Sequence, residues 1–267
     1  MRIQTKINDN TCVPKQGDCS SLFARLSHYI CLFDNTWKER IRPASVEQIK
    51  KLREVSQLGR YGIELPKAYK IYLEMMGIDD GGLLSKFFNG GTANIEDIIQ
   101  IYNNLCESEP EALDTPYQII FWCDWGGNVF IDLSGNHGDS ILVVYQGETY
   151  NMVSESFEKM IFQAAFKIYE VFPNQLDFGV SIAGLKEKIQ PDKVHTTLEA
   201  LCLKYGLSKL WISDNKWYMA RGENINFWVC CDIAMYGRIT GEDKEKLNVL
   251  YKDFETLFGV KKKNIRQ

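Results

Sequence analysis

Three runs dense in β-branched and aromatic residues, YQIIFWC (117–123), NVFIDLS (128–134) and SILVVYQ (140–146), are separated only by DWGG and GNHGD. Such runs favour strands, and short breaks rich in Gly, Asp and Asn favour tight turns. A three-stranded antiparallel meander is therefore expected. Everything else in this part of the chain has to pack around it.

The flanking sequence switches to helical period. In PASVEQIKKLREVSQLG, Ser45 with Gln48 forms a capping box, Val46, Ile49 and Leu52 mark one face, and Gly59 is expected to end the helix. ELPKAYKIYLEMMG follows, with Pro66 suited to a first turn, Tyr69, Leu73 and Met76 at helical spacing, and Gly77 as a C-terminal cap. A third helix, NIEDIIQIYNNL, has Asn94 as cap and Glu96 and Asp97 in its positive first turn. After the meander, SESFEKMIFQAAFKIYE places Phe157, Met160, Ile161, Ala164, Ala165 and Ile168 on one stripe, the pattern of a helix laid on a sheet.

The pattern breaks around VFPNQLDFG, which places a boundary near Pro173. Beyond it, a helix (DKVHTTLEALCLKYG), three strands (KLWIS, KWYMA, INFWVCCDI) and a capped helix (TGEDKEKLNVLYKDFETLFG) predict a compact αβββα module. The tail VKKKNIRQ reads as a solvated end. The expected layout is an α+β protein: an N-terminal arm over 1–36 with an amphipathic helix in SLFARLSHYICLF, a domain over 37–173, and the smaller module over 174–267.

Charge is uneven along the chain. From Glu74 to Met160 there are fifteen acidic residues against two basic ones, whereas Met1–Leu73 carries thirteen basic against seven acidic. An acidic middle opposes direct binding of nucleic acid and suits a basic partner. No run approaches the roughly 18 apolar residues that span a bilayer, and the N-terminus lacks an apolar signal core. The eight cysteines include no C-x-x-C pair, so neither a disulfide framework nor structural zinc is expected, and a cytoplasmic location is.

Three pieces together resemble the SUKH superfamily, which groups fungal Smi/Knr cell-wall regulators with bacterial immunity proteins. They are SVEQIKKLREVSQLGRYGIELPKAYKIYLEMMG, with its helix, Leu-Pro, Tyr, Leu and Gly; IIFWCDWGGNVFIDLSG, a strand, Gly-Gly and an aspartate-bearing strand; and the closing SFEKMI. The match covers about Trp37 to Pro173. After Gly77 the chain has IDDGGLLSKFFNGG where the family more commonly has Asn-Gly-Gly. The resemblance implies a SUKH-like antiparallel sheet with packed helices and a binding role without catalysis. Its bacterial members neutralise a toxin, often a nuclease or deaminase. Its fungal members imply the alternative, a regulatory scaffold.

Asp124, Asp132, His137 and Asp139 invite a metal or acid/base reading, but no ligand spacing accompanies them; Asp124 and Asp139 read as turn residues, Asp132 as pointing off a strand and His137 as a loop residue. The glycines of DDGGLL and NGGTAN lack a phosphate-binding signature, and His28 and His195 read as helix-face residues. No catalytic residue, cofactor or metal is expected. The predicted function is that of an immunity protein occluding a basic, nuclease-like toxin domain. The partner surface is assigned to Asp79, Asp80, Glu107, Glu109, Glu111, Asp114, Asp124 and Trp125. The last two are the acid and the aromatic anchor of a turn rather than of a strand.

Overall fold

The computed structural model describes residues 19–113, 116–123, 127–135, 140–145, 149–231 and 234–262. The chain is α+β with antiparallel sheets and divides into two compact units, one ending at Tyr169 and one beginning at Glu170.

In the first unit, helix α1 (Cys19–Cys31) buries Leu22, Phe23, Leu26, Tyr29 and Ile30. The sequence places it in an arm outside the domain. The structure puts it in the core, because its apolar stripe is wide enough to pack on two later helices at once. A short α2 (Trp37–Arg40) leads into strand β1 (Ile41–Arg42).

The capping box opens α3 (Val46–Val55) as expected: Ser45 Oγ accepts from the Gln48 amide at 3.1 Å, and Gln48 Oε1 accepts from the Ser45 amide at 2.8 Å. The helix ends at Val55, ahead of Gly59, because the backbone turns left-handed at Gln57 and passes into a 3-10 turn over Leu58–Tyr61. Leu52 is fully buried, but Val46 is 78% exposed, since the first turn overhangs the packed face.

Helix α4 (Lys67–Met76) buries Tyr69, Tyr72, Leu73 and Met76. Gly77 is the C-cap as expected, with a right-handed φ of −68°. It is glycine for space: a Cβ there would lie 2.7 Å from the Leu73 carbonyl oxygen and 2.9 Å from Ala44 Cβ. Strand β2 (Asp79–Asp80) pairs with β1, and the short α5 (Leu83–Phe88) follows. Helix α6 (Ile95–Ser108) starts on Asn94, whose side chain accepts from the Glu96 amide at 2.9 Å.

The meander is present, with a fourth strand. Strands β3 (Tyr117–Trp122), β4 (Asn128–Asp132), β5 (Ile141–Tyr145) and β6 (Thr149–Ser154) pair antiparallel in that order. The edge at β3 is closed by two devices. Thr92 and Trp122 exchange backbone hydrogen bonds of 2.9 Å, and the Tyr102 hydroxyl accepts from the Ile119 amide at 2.7 Å while donating to the Tyr117 carbonyl at 2.9 Å. Helix α7 (Phe157–Tyr169) buries the expected Phe157, Met160, Ile161, Ala164 and Ala165 but leaves Ile168 only half-buried, and it also buries Phe162, Gln163 and Phe166; Tyr69 and Tyr72 stand edge-on to Phe157 at 5.3 and 5.4 Å.

The second unit is a six-stranded antiparallel sheet rather than three strands. Its elements are β7 (Asn174–Ser181), α8 (Ile182–Lys186), α9 (Val194–Tyr205), β8 (Ser208–Lys209), β9 (Trp217–Arg221), β10 (Ile225–Cys231), β11 (Ala234–Gly241), α10 (Lys244–Phe258) and β12 (Lys261–Lys262). The strand order is β12-β7-β11-β10-β9-β8. The stretch read as a break is strand β7, and KLWIS contributes only one strand residue, Lys209. Phe178, Phe227, Val229 and Ile239 form the core with Leu250 and Phe254 of α10. By strand alternation Trp228 and Cys230 then belong to the opposite face of the sheet, with their cross-strand partners Met219, Trp217 and Tyr236.

Candidate interaction site

Asp79 and Asp80 are adjacent, and the fold separates their roles. Asp79 is exposed, and its Oδ1 accepts from the Gly81 amide at 2.8 Å in a local turn. Asp80 is buried, which corrects the expectation that it belongs to a partner surface. Its Oδ1 accepts from the Leu83 amide at 2.8 Å, and its Oδ2 from the Leu84 amide at 2.9 Å and the Tyr72 hydroxyl at 3.0 Å. Its carbonyl accepts from Trp37 Nε1 at 3.0 Å. The carboxylate caps α5 from inside the protein, where the first turn's amides have no backbone acceptor. Burial pushes its pKa up, against the opposing pull of the Leu84 amide, the Tyr72 hydroxyl and the Leu83 amide.

The glycines of DDGG are loop glycines with a packing reason. Gly81 (φ +68°) presses on the indole of Trp37, so that a Cβ would lie 2.4 Å from Nε1. At Gly82 (φ +78°) a Cβ would meet only side-chain ends at ordinary contact distance, Lys86 at 3.4 Å and Ser85 Oγ at 3.7 Å. Gly81→Ala is expected to cost about 2–4 kcal/mol and Gly82→Ala about 1–2 kcal/mol, the difference being the indole clash. Urea midpoints of the two variants, compared with wild type, measure that gap.

Glu107, Glu109 and Glu111 are exposed, at and just beyond the end of α6. They do not join Asp79 in one patch. The amide of Ile95, at the start of α6, donates to the Gly77 carbonyl at 2.8 Å, which fixes that end of the helix beside the Asp79 turn. At 1.5 Å per residue the helix carries the glutamates about 20 Å away. Helix α3 runs parallel alongside, as Gln48 bonds Glu96 at one end and Gln57 bonds Cys106 at the other.

Asp114, Asp124, Trp125, His137 and Asp139 lie outside the described residues. Asp132, expected to point off a strand, is the last residue of β4 and is buried, and its Oδ1 accepts from the amide and hydroxyl of Ser134. His195 Nε2 lies 3.2 Å from the Asn215 carbonyl, and His28 is exposed on α1. Burial pushes the thiol of Cys202 up to about 11 and that of Cys231 up to about 12, so both are protonated at neutral pH. At pH 8 neither is expected to react with iodoacetamide until the protein is unfolded, which mass mapping of the labelled sites reads directly. Among the described residues no group of three or more His, Cys, Asp and Glu is placed to hold a metal, and no helix is long and apolar enough to cross a membrane.

What sequence reasoning missed is the interior role of Asp80. Its signal was present: an aspartate three residues before LLSKFF, the spacing at which a side chain reaches the first amides of a helix. Comparison with family models, with curated proteins and with solved structures returned no match.

Proposed function

We propose that the first unit is a SUKH-like domain and that the chain is an immunity protein, which binds a basic toxin domain of the nuclease or deaminase class and occludes it without turnover. The observation that carries this reading is the acidic end of α6. A helix C-terminus bears partial negative charge and favours cations, yet here Glu107 lies in the last turn and Glu109 and Glu111 follow, with no basic residue in that turn. None of the three forms an ion pair among the described residues. In the last turn Glu107 opposes the helix dipole at a cost of about 0.3–1 kcal/mol, Glu109 is the C-cap, and Glu111 lies in the first turn of the 3-10 helix Pro110–Leu113 that follows. Local rules broken without local compensation are expected where a surface serves a partner.

A basic toxin face would supply the missing cations. Opposed potentials accelerate diffusional encounter, and an occupied substrate surface cannot hold nucleic acid. In this reading Glu107, Glu109 and Glu111 form the steering group, with Asp114 next in sequence, while Asp124 and Trp125, which lie between β3 and β4 in the sequence, supply a further contact. Asp79, at the other end of α6, is peripheral to them.

The test begins with affinity capture of the full-length chain from a toxin-producing host, followed by binding kinetics with the captured protein. The Glu107→Lys/Glu109→Lys/Glu111→Lys variant is expected to lower the association rate at least tenfold at low salt, and raising the ionic strength should shrink the difference. Equal rates for variant and wild type would remove the electrostatic basis. Capture of a cellular regulator with no toxic activity would favour the scaffold reading.

A further inference from the structure

A sheet edge presents a row of backbone donors and acceptors that another strand can take up, unless the chain blocks it. Among the described residues the two larger sheets have four edge strands, β3, β6, β8 and β12, and three of them are blocked. Thr92 and Tyr102 occupy the backbone of β3, whereas β8 and β12 are two residues long and carry Lys209 and the pair Lys261 and Lys262. Strand β6 is six residues, TYNMVS, with no charge and no proline. Val153 is an extra residue opposite the step from Ile141 to Leu142, a bulge that leaves 149–152 as regular strand. These residues pair with β5 on one side, and among the described residues no backbone group bonds them on the other.

We propose that β6 is a dimerisation edge, to which a second copy of this chain adds its own β6 antiparallel across a two-fold axis at Asn151. Two observations select a second copy as the occupant. A two-fold pairing sets a strand against itself, and like charges directly opposite are destabilising, a penalty that an uncharged strand escapes. The assembly also closes at two, because the outer edge of each joined sheet is then β3, which Thr92 and Tyr102 already hold. Strand β6 lies three strand spacings from β3, about 14 Å, and Tyr102 ties α6 to β3. The pairing is therefore made at the edge opposite the helix that carries Glu107 and Glu109.

Sedimentation equilibrium of the full chain by itself tests this, so the outcome does not depend on the identity of a toxin. Wild type is expected to show a concentration-dependent monomer and dimer. Asn151→Lys and Asn151→Glu should each weaken the dimer about tenfold, since each sets two like charges against one another at the axis. An equimolar mixture of the two variants should recover it, because a lysine then faces a glutamate, which a merely misfolded pair of variants would not do. Dimers unaffected by either substitution would overturn the proposal. A wild type that stays monomeric at every attainable concentration would also overturn it and leave the edge to a strand from another protein.

Discussion

Asp80→Ala is expected to destabilise the protein by about 3–5 kcal/mol, because it leaves two buried amides and a buried hydroxyl without their acceptor. The donors are the amides of Leu83 and Leu84 and the hydroxyl of Tyr72, and all three residues are fully buried. Asp80→Asn keeps one acceptor oxygen but turns an NH2 group toward another donor, so about half that loss is expected. Tyr72→Phe removes one bond and should cost about 1 kcal/mol.

The pH dependence distinguishes the carboxylate from a neutral cap. The pKa of Asp80 is raised in the folded protein, so the native state holds this proton more tightly than the unfolded chain does. The resulting stabilisation is fully present below the unfolded value, near 3.8, and is lost as pH rises through the folded one. Asp80→Asn abolishes that contribution. The stability advantage of wild type over the variant should therefore grow as pH falls from 7 toward 4, as urea titrations at several pH values would show. An advantage that shrank on acidification would mean that the three hydrogen bonds outweigh burial and hold the pKa below its ordinary value.

The features legible in the sequence were those set by neighbours along the chain. The Ser45/Gln48 box needs only a spacing of three, and the α7 stripe only a helical period, so the box is in the structure as read and the stripe is buried from Phe157 to Ala165. Strand β7 was legible in principle, since Leu176, Phe178 and Val180 alternate toward the core, but Pro173 and Asn174 before it read as a break. Strand β11 was harder. Gly237 interrupts its pattern because the sheet leaves no room there: a Cβ would lie 2.3 Å from the Trp228 carbonyl oxygen. Such a reason exists only once the neighbouring strand is in place.

The candidate site divides in the same way. That Glu107, Glu109 and Glu111 are surface acids follows from composition, but that Asp79 lies about 20 Å from them depends on the length of α6 and on what its first turn touches. That Asp80 faces inward depends on Tyr72, eight residues earlier and on another helix. A linear reading had no reason to treat two adjacent aspartates differently.

The largest effect in the second unit is expected from Arg221→Leu. Arg221 Nε lies 2.8 Å from Glu170 Oε1, with the two side chains only 11% and 4% exposed. The Asn226 side chain donates to the Glu170 carbonyl at 2.9 Å, Thr240 Oγ1 donates to Asn226 Oδ1 at 2.6 Å, and the Phe172 amide donates to Thr240 Oγ1 at 3.3 Å. These bonds tie residues 170–172 to β9, β10 and β11, which is why the second unit begins at Glu170 and not beyond Pro173. Removing the guanidinium strands a carboxylate away from water, at a cost of about 3–5 kcal/mol. Pairing the change with Glu170→Met removes the stranded charge, and most of the loss should return, because an apolar pair of similar volume replaces a buried ion pair at little net cost. Urea denaturation of the two single variants and the double variant closes the cycle. If the double variant were as unstable as the sum of the singles, the ion pair would be uncoupled and the tie would reside in Asn226 and Thr240 alone.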